Sequence, residues 1–138
     1  MKVVLNKCYG GFGLSLLAQK EYLKRIGKEA YFYKQTKYKH SGGIDEYEKV
    51  NCDSSEIMIH AYTKDFGPVM SSYNEDHSWY YGDLKRDDKI LVEVVEYLGE
   101  KANTWASELK VVDIPDGVEW EISDYDGIET AHEIHNSW

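Results

Sequence analysis

The residues best equipped for chemistry lie together at Lys7-Cys8-Tyr9-Gly10-Gly11-Phe12-Gly13-Leu14-Ser15. Three glycines in four positions let a backbone take positive φ and come close to a neighbour. Ser15 is a capping residue set just ahead of a helix-periodic stretch. A helix start offers unpaired N–H groups and the positive end of a dipole to an anion. Two readings follow. Either Lys7, Tyr9, Gly10, Gly11, Phe12, Gly13 and Ser15 hold a phosphate or carboxylate, or they make a tight turn packed under the protein's own sheet. The glycine spacing matches no established phosphate loop, so both stand.

His60, in the strand pattern Ile57–Thr63, is the candidate acid or base if the protein is an enzyme. A histidine in a strand is also an ordinary core or interface residue. Cys8 is a nucleophile if a helix N-terminus lowers its pKa, and a structural thiol if it ends the first strand. Glu129, His132 and His135 share a face only on a helix; on a strand the two histidines part, and no metal or other cofactor is expected. Twelve tyrosines and four tryptophans are many for this length. Tyr9, Phe12, Tyr73, Trp79, Tyr80 and Tyr81 fall in expected loops, where rings stack on bases or partners. Tyr31, Phe32, Trp105 and Trp120 are expected in the core. Trp79, Tyr80 and His135 complete the candidate ligand contacts.

These groups need a scaffold, and 138 residues suffice for one domain with a sizeable core. With 42% apolar and 30% charged residues the chain suits a soluble globular protein. The opening apolar run is too short for a signal peptide, and no stretch suits a membrane span. Cys8 and Cys52 stand alone, as in intracellular proteins, so the cytoplasm is the expected location. Residues 1–40 hold nine Lys and Arg against two Asp and Glu, whereas residues 41–138 hold seven against twenty-three. The acidic part argues against general nucleic-acid binding. The basic part leaves an anionic small molecule plausible, although Lys20, Lys24, Arg25 and Lys28 fit the wet face and end of a helix.

Lys2–Lys7 reads as a strand, Leu16–Ile26 as a helix stopped by Gly27, and Glu29–Lys34 as a second strand, which gives a parallel βαβ start. Tyr38–Asp45 reads as a loop, Tyr47–Val50 as an edge strand, and residues 64–86 as turns with a hairpin or irregular segment. Ile90, Leu91, Val94, Val95 and Leu98 mark a second helix between Asp88 and Gly99. Leu109–Ile114 and Val118–Ile122 read as a hairpin across Pro115-Asp116-Gly117, followed by a turn at Asp124–Gly127 and a last strand or short helix. The expected class is α/β, with α+β as the variant: a mixed sheet and two main helices.

Val3-Val4-Leu5-Asn6-Lys7-Cys8-Tyr9-Gly10-Gly11-Phe12-Gly13-Leu14-Ser15 resembles the opening of a widespread family of small phage and prophage proteins. Leu98–Asn103, Leu109–Gly117, Tyr125-Asp126-Gly127 and Glu133–Trp138 are similar to its second half. The family pattern closes on His-Arg-Thr-Trp; this chain has His135-Asn136-Ser137-Trp138, so no role for a guanidinium carries over. The resemblance implies a phage product working in the bacterial cytoplasm, with no reaction attached. Taken with the loop and rings, it leads to the expectation of a homo-oligomeric protein that binds a nucleotide-like anion such as a host immune signal. An enzyme acting on such a ligand, a phosphoesterase or nucleosidase, is the second expectation. An acidic inhibitor of a basic host protein is the third.

Overall fold

The computed structural model describes residues 1–37, 46–53 and 59–134. The chain divides into two compact units, one of Met1–Ala18 with Gly82–Trp138 and one of Gln19–Tyr81.

In the first unit, β1 (Lys2–Asn6) buries Val3, Val4, Leu5 and Asn6 in succession. Such an unbroken run belongs to a strand covered on both faces. It pairs antiparallel with β7 (Leu109–Asp113), Val4 opposite Val111. Helix α2 (Lys89–Leu98) packs on both strands and buries Leu91, Val92, Val94 and Val95. Asp88 caps it by accepting from the Leu91 N–H at 3.0 Å, and the Gly99 N–H closes it on the Val95 carbonyl. Beside β1 lies the hairpin of β8 (Trp120–Tyr125) and β9 (Ile128–Glu133). Asp126 and Gly127 form its two-residue loop at φ 50° and 93°. Positive φ at both positions is the type I′ geometry that matches strand twist, and Asp-Gly is its usual pair.

The second unit is a five-stranded antiparallel sheet in the order β5-β3-β2-β4-β6. Its strands are β2 (Tyr31–Lys37), β3 (Glu46–Val50), β4 (Ile59–Tyr62), β5 (Val69–Met70) and β6 (Ser78–Trp79). Tyr33, Tyr47, Tyr62 and Met70 form its core cluster, with Tyr31 and Phe66 against them. The buried Tyr33 hydroxyl donates to the Gly67 carbonyl at 2.7 Å and accepts from the Phe66 N–H at 2.9 Å. A phenol thus fixes the loop after β4. Helix α1 (Leu16–Arg25) crosses the division between the units. Ser15 Oγ accepts from the Ala18 N–H at 3.1 Å, as its type suggests. At the other end Gly27, at φ 81°, lets the Lys28 N–H reach the Leu23 carbonyl at 2.8 Å. This is a Schellman stop.

The combined α and β class holds, but its details differ from expectation. β1, α1 and β2 form no parallel βαβ unit: both edges of β2 are taken, by β3 and β4, and β1 pairs with β7. Every strand pairing among the described residues is antiparallel, which is the α+β variant. β7 pairs with β1 and β8 with β9, so the Pro115-Asp116-Gly117 turn closes no hairpin. The Asp126-Gly127 turn, with positive φ at both positions, closes one instead. Tyr47–Val50 lies inside the sheet, with the two-residue β5 outside it. Trp105, expected in the core, is 83% exposed. His135, Trp138, the loop read at Tyr38–Asp45 and the start of the Ile57–Thr63 strand lie outside the described residues.

Leu91 is fully buried on the face of α2 that covers β1. Leu91→Ala is expected to destabilise the protein by about 2–5 kcal/mol. Urea unfolding followed by circular dichroism measures this directly.

Candidate functional site

The opening loop is held from several sides within its own unit. The Gly10 N–H donates to the Asp126 carbonyl at 3.1 Å. Ser107 Oγ donates to the Gly13 carbonyl at 2.9 Å, and Ser15 Oγ donates to the Lys101 carbonyl at 2.6 Å. Lys7 Nζ donates to the Glu129 carbonyl at 2.7 Å. A Cβ on Gly10 would overlap the Ala106 carbonyl, and one on Gly127 would overlap the Gly10 and Gly11 backbone. The glycines let one chain segment approach another. Cys8 Sγ, half-buried, donates to the Ala106 carbonyl at 3.4 Å. The Phe12 ring lies 3.6 Å from the Arg86 guanidinium carbon, a cation–π stack. These contacts favour the packed turn over the phosphate cradle, and Tyr9 alone of the loop's rings faces water.

Beneath this loop sits the carboxylate of Glu129, on the β9 hairpin. It takes a bidentate pair from Arg86, with Nη2 to Oε2 at 2.7 Å, and the Asn6 N–H at 2.8 Å. This ends the notion of a shared metal face. On strand β9, His132 points away from Glu129 and pairs with Glu121 at 2.8 Å.

In the second unit His60 is half-buried between the rings of Tyr47 and Tyr73, at centroid distances of 5.9 and 5.7 Å. Burial holds its imidazole below the ordinary 6.5. Trp79 packs on Tyr22 at 5.6 Å, so this ring serves the helix–sheet contact. Tyr80 is exposed and lies 4.9 Å from the Tyr81 ring.

A different set of residues comes together around Tyr31, at the start of β2. Three open clefts, of about 420 to 490 Å³ each, share this ring. Lys20, Lys24 and Lys28 line one, Lys20 and Lys49 another, Lys28 and Lys64 the third. Lys20 and Lys24 stand one turn apart on α1, and Lys28 follows its Gly27 stop. All three are exposed, and none enters an ion pair among the described residues. Glu29 is engaged by the Tyr31 hydroxyl, and Asp65 by Lys49, which depresses the Asp65 pKa. In the sequence these lysines read as a wet helix face. What sets them apart is that Tyr31, at the start of β2, and Ala30 just before it line the same cleft.

The carboxyl end of α1 is the wrong pole for an anion, by about 0.3–1 kcal/mol. One lysine at 4 Å from a phosphate charge outweighs that, at about 4 kcal/mol for an effective dielectric near 20. The cleft of Lys20, Lys24 and Lys28, with Glu29 its one carboxylate, is therefore net attractive to anions. In the third cleft Lys28 and Lys64 are balanced by Glu29 and Asp65. Lys49 Nζ already lies 5.3 Å from the Tyr31 ring centroid, which leaves the other face of the ring for stacking. Compared with known proteins, the chain matches no family model, no curated protein and no solved structure.

Two outcomes test these placements. Gly10→Ala is expected to cost more stability than Gly11→Ala: both positions have positive φ, but only Gly10 faces a backbone carbonyl. Comparison of their urea midpoints checks the order. His60 has a folded pKa below its unfolded value, so the unfolded chain takes up the proton first as pH falls. This contribution is complete above about pH 6.5 and is lost as pH drops from there. The fall in unfolding midpoint between about pH 7.5 and 5.5 should shrink in His60→Gln.

Proposed function

We propose that the protein binds and sequesters an anionic, nucleotide-like small molecule, and that it does so as a phage product directed at a host signal. The observation that carries the reading is the group of lysine-lined clefts around Tyr31: Lys20, Lys24 and Lys28 supply charge and Tyr31 supplies a ring for a base. Lysine is a flexible point charge, suited to phosphate groups in varied geometry. The phage assignment rests on the resemblance of the two ends of the chain, and self-association belongs to the same reading. No helix among the described residues is long and apolar enough to cross a membrane.

Binding is favoured over turnover by the surroundings of His60. Its ring neighbours, Tyr47 and Tyr73, meet it edge to face. Such contacts hold an imidazole in place and do not relay a proton.

The test is to incubate the purified protein with linear and cyclic nucleotides, remove free ligand, heat-denature the complex and analyse what is released. Recovery of one compound intact supports sequestration. A new product would make the protein an enzyme, and no retention would remove the nucleotide reading. Lys20→Gln/Lys24→Gln/Lys28→Gln is expected to weaken binding at least tenfold, about 1.4 kcal/mol, by isothermal titration. The wild-type affinity should fall as salt rises.

A further inference from the structure

Three segments of the first unit meet at Gly10. The Gly10 N–H reaches the Asp126 carbonyl, and the Gly10 backbone lies against Ala106 with no room for a side chain. The residue immediately before each contact is a large aromatic: Tyr9, Trp105 and Tyr125. They are 67%, 83% and 72% exposed. One peptide step is about 3.8 Å, so the three rings start from backbone positions grouped around a single contact. Exposed rings of this size grouped on rigid backbone are the composition of an interface core. The packed loop, the Asp-Gly turn and the 103–108 segment hold them without help from a partner.

The setting is acidic. Asp124 and Asp126 flank Tyr125 and both are exposed, Asp124 Oδ1 accepting the Gly127 N–H at 2.9 Å. Glu108, close after Trp105, is exposed and pairs with Lys110 at 3.6 Å. From Val111 to the end of the sequence there are eight Asp and Glu and no Lys or Arg. This charge decides the occupant. Like faces of two copies would set carboxylates against carboxylates, and a nucleic acid would be repelled. Arginine or lysine side chains meet both features, since they pair with carboxylates and stack on aromatic faces.

We propose that Tyr9, Trp105 and Tyr125, with Asp124 and Asp126, form a docking surface for a basic segment of another protein. It is separate from the Tyr31 clefts and independent of the ligand reading.

The probe is a fluorescent nine-residue arginine peptide, with a nine-residue glutamate peptide as control, followed by anisotropy at low salt. The wild type should bind the arginine peptide and ignore the glutamate peptide. Trp105→Ala/Tyr125→Ala removes no charge and no buried group, and should weaken arginine-peptide binding at least tenfold while circular dichroism stays unchanged. Asp124→Asn/Asp126→Asn should weaken it as well. Equal affinity of the ring variant and the wild type would reduce the interaction to bulk attraction and overturn the proposal. A wild-type oligomer in sedimentation that becomes monomeric in Trp105→Ala/Tyr125→Ala would also overturn it, by making the face a contact between copies.

Discussion

The first unit depends on one buried charge. Glu129 is 5% exposed, and a carboxylate cannot be left there without partners. Arg86 meets both its oxygens, and the Asn6 N–H adds a third donor. The surroundings repeat this arrangement outward. Asn6, itself buried, gives Nδ2 to the carbonyls of Cys8 and Gly127 and takes the Glu108 N–H on Oδ1. The end of β1, the glycine loop, the 103–108 segment and the β8–β9 hairpin are thus tied to two side chains. Breaking a buried pair by removing one partner costs about 3–5 kcal/mol, whereas an exposed pair contributes about 1 kcal/mol or less. Position, more than the number of ion pairs, makes this one matter.

The second unit is organised by rings. Tyr33 and Tyr62 sit edge to face at 5.5 Å, and Phe66 contacts both. Tyr33 finds partners for its hydroxyl in the loop after β4. The Tyr62 hydroxyl, in contrast, is buried without a side-chain or backbone bond of ordinary geometry among the described residues, and burial raises its pKa. The ordered sheet and its helix then present Tyr31 and the α1 lysines on fixed supports. The proposed ligand site needs no special loop. Its charge comes from a helix end and its ring from the next strand.

Much of the local structure was legible in the sequence. The boundaries of α2 follow from Asp88, Gly99 and the spacing of Leu91, Val94, Val95 and Leu98, because caps and periodicity act over a few residues. Ser15 and Gly27 mark α1 for the same reason. Strand partners were less legible, since β1 and β7 are about a hundred residues apart and nothing local names their pairing. The two turn signals, Pro115-Asp116-Gly117 and Asp126-Gly127, compete, and only the second gives strands of matching register. The glycine spacing of Gly10–Gly13 marks a place where backbone comes close to a neighbour. The neighbour it admits, Ala106, is remote in sequence and has no motif. Lys20, Lys24 and Lys28 likewise reveal their cleft only when β2 brings Ala30 and Tyr31 beside them.

The central claim is that anions are held at the Tyr31 clefts, with the glycine loop serving structure. Backbone amide resonances recorded during titration with a nucleoside triphosphate test it most directly. Saturable shifts at Lys20, Lys24, Lys28 and Tyr31, with Gly10, Gly11 and Gly13 unmoved, are the predicted result. Shifts concentrated at Gly10–Ser15, with the α1 lysines unmoved, would contradict it.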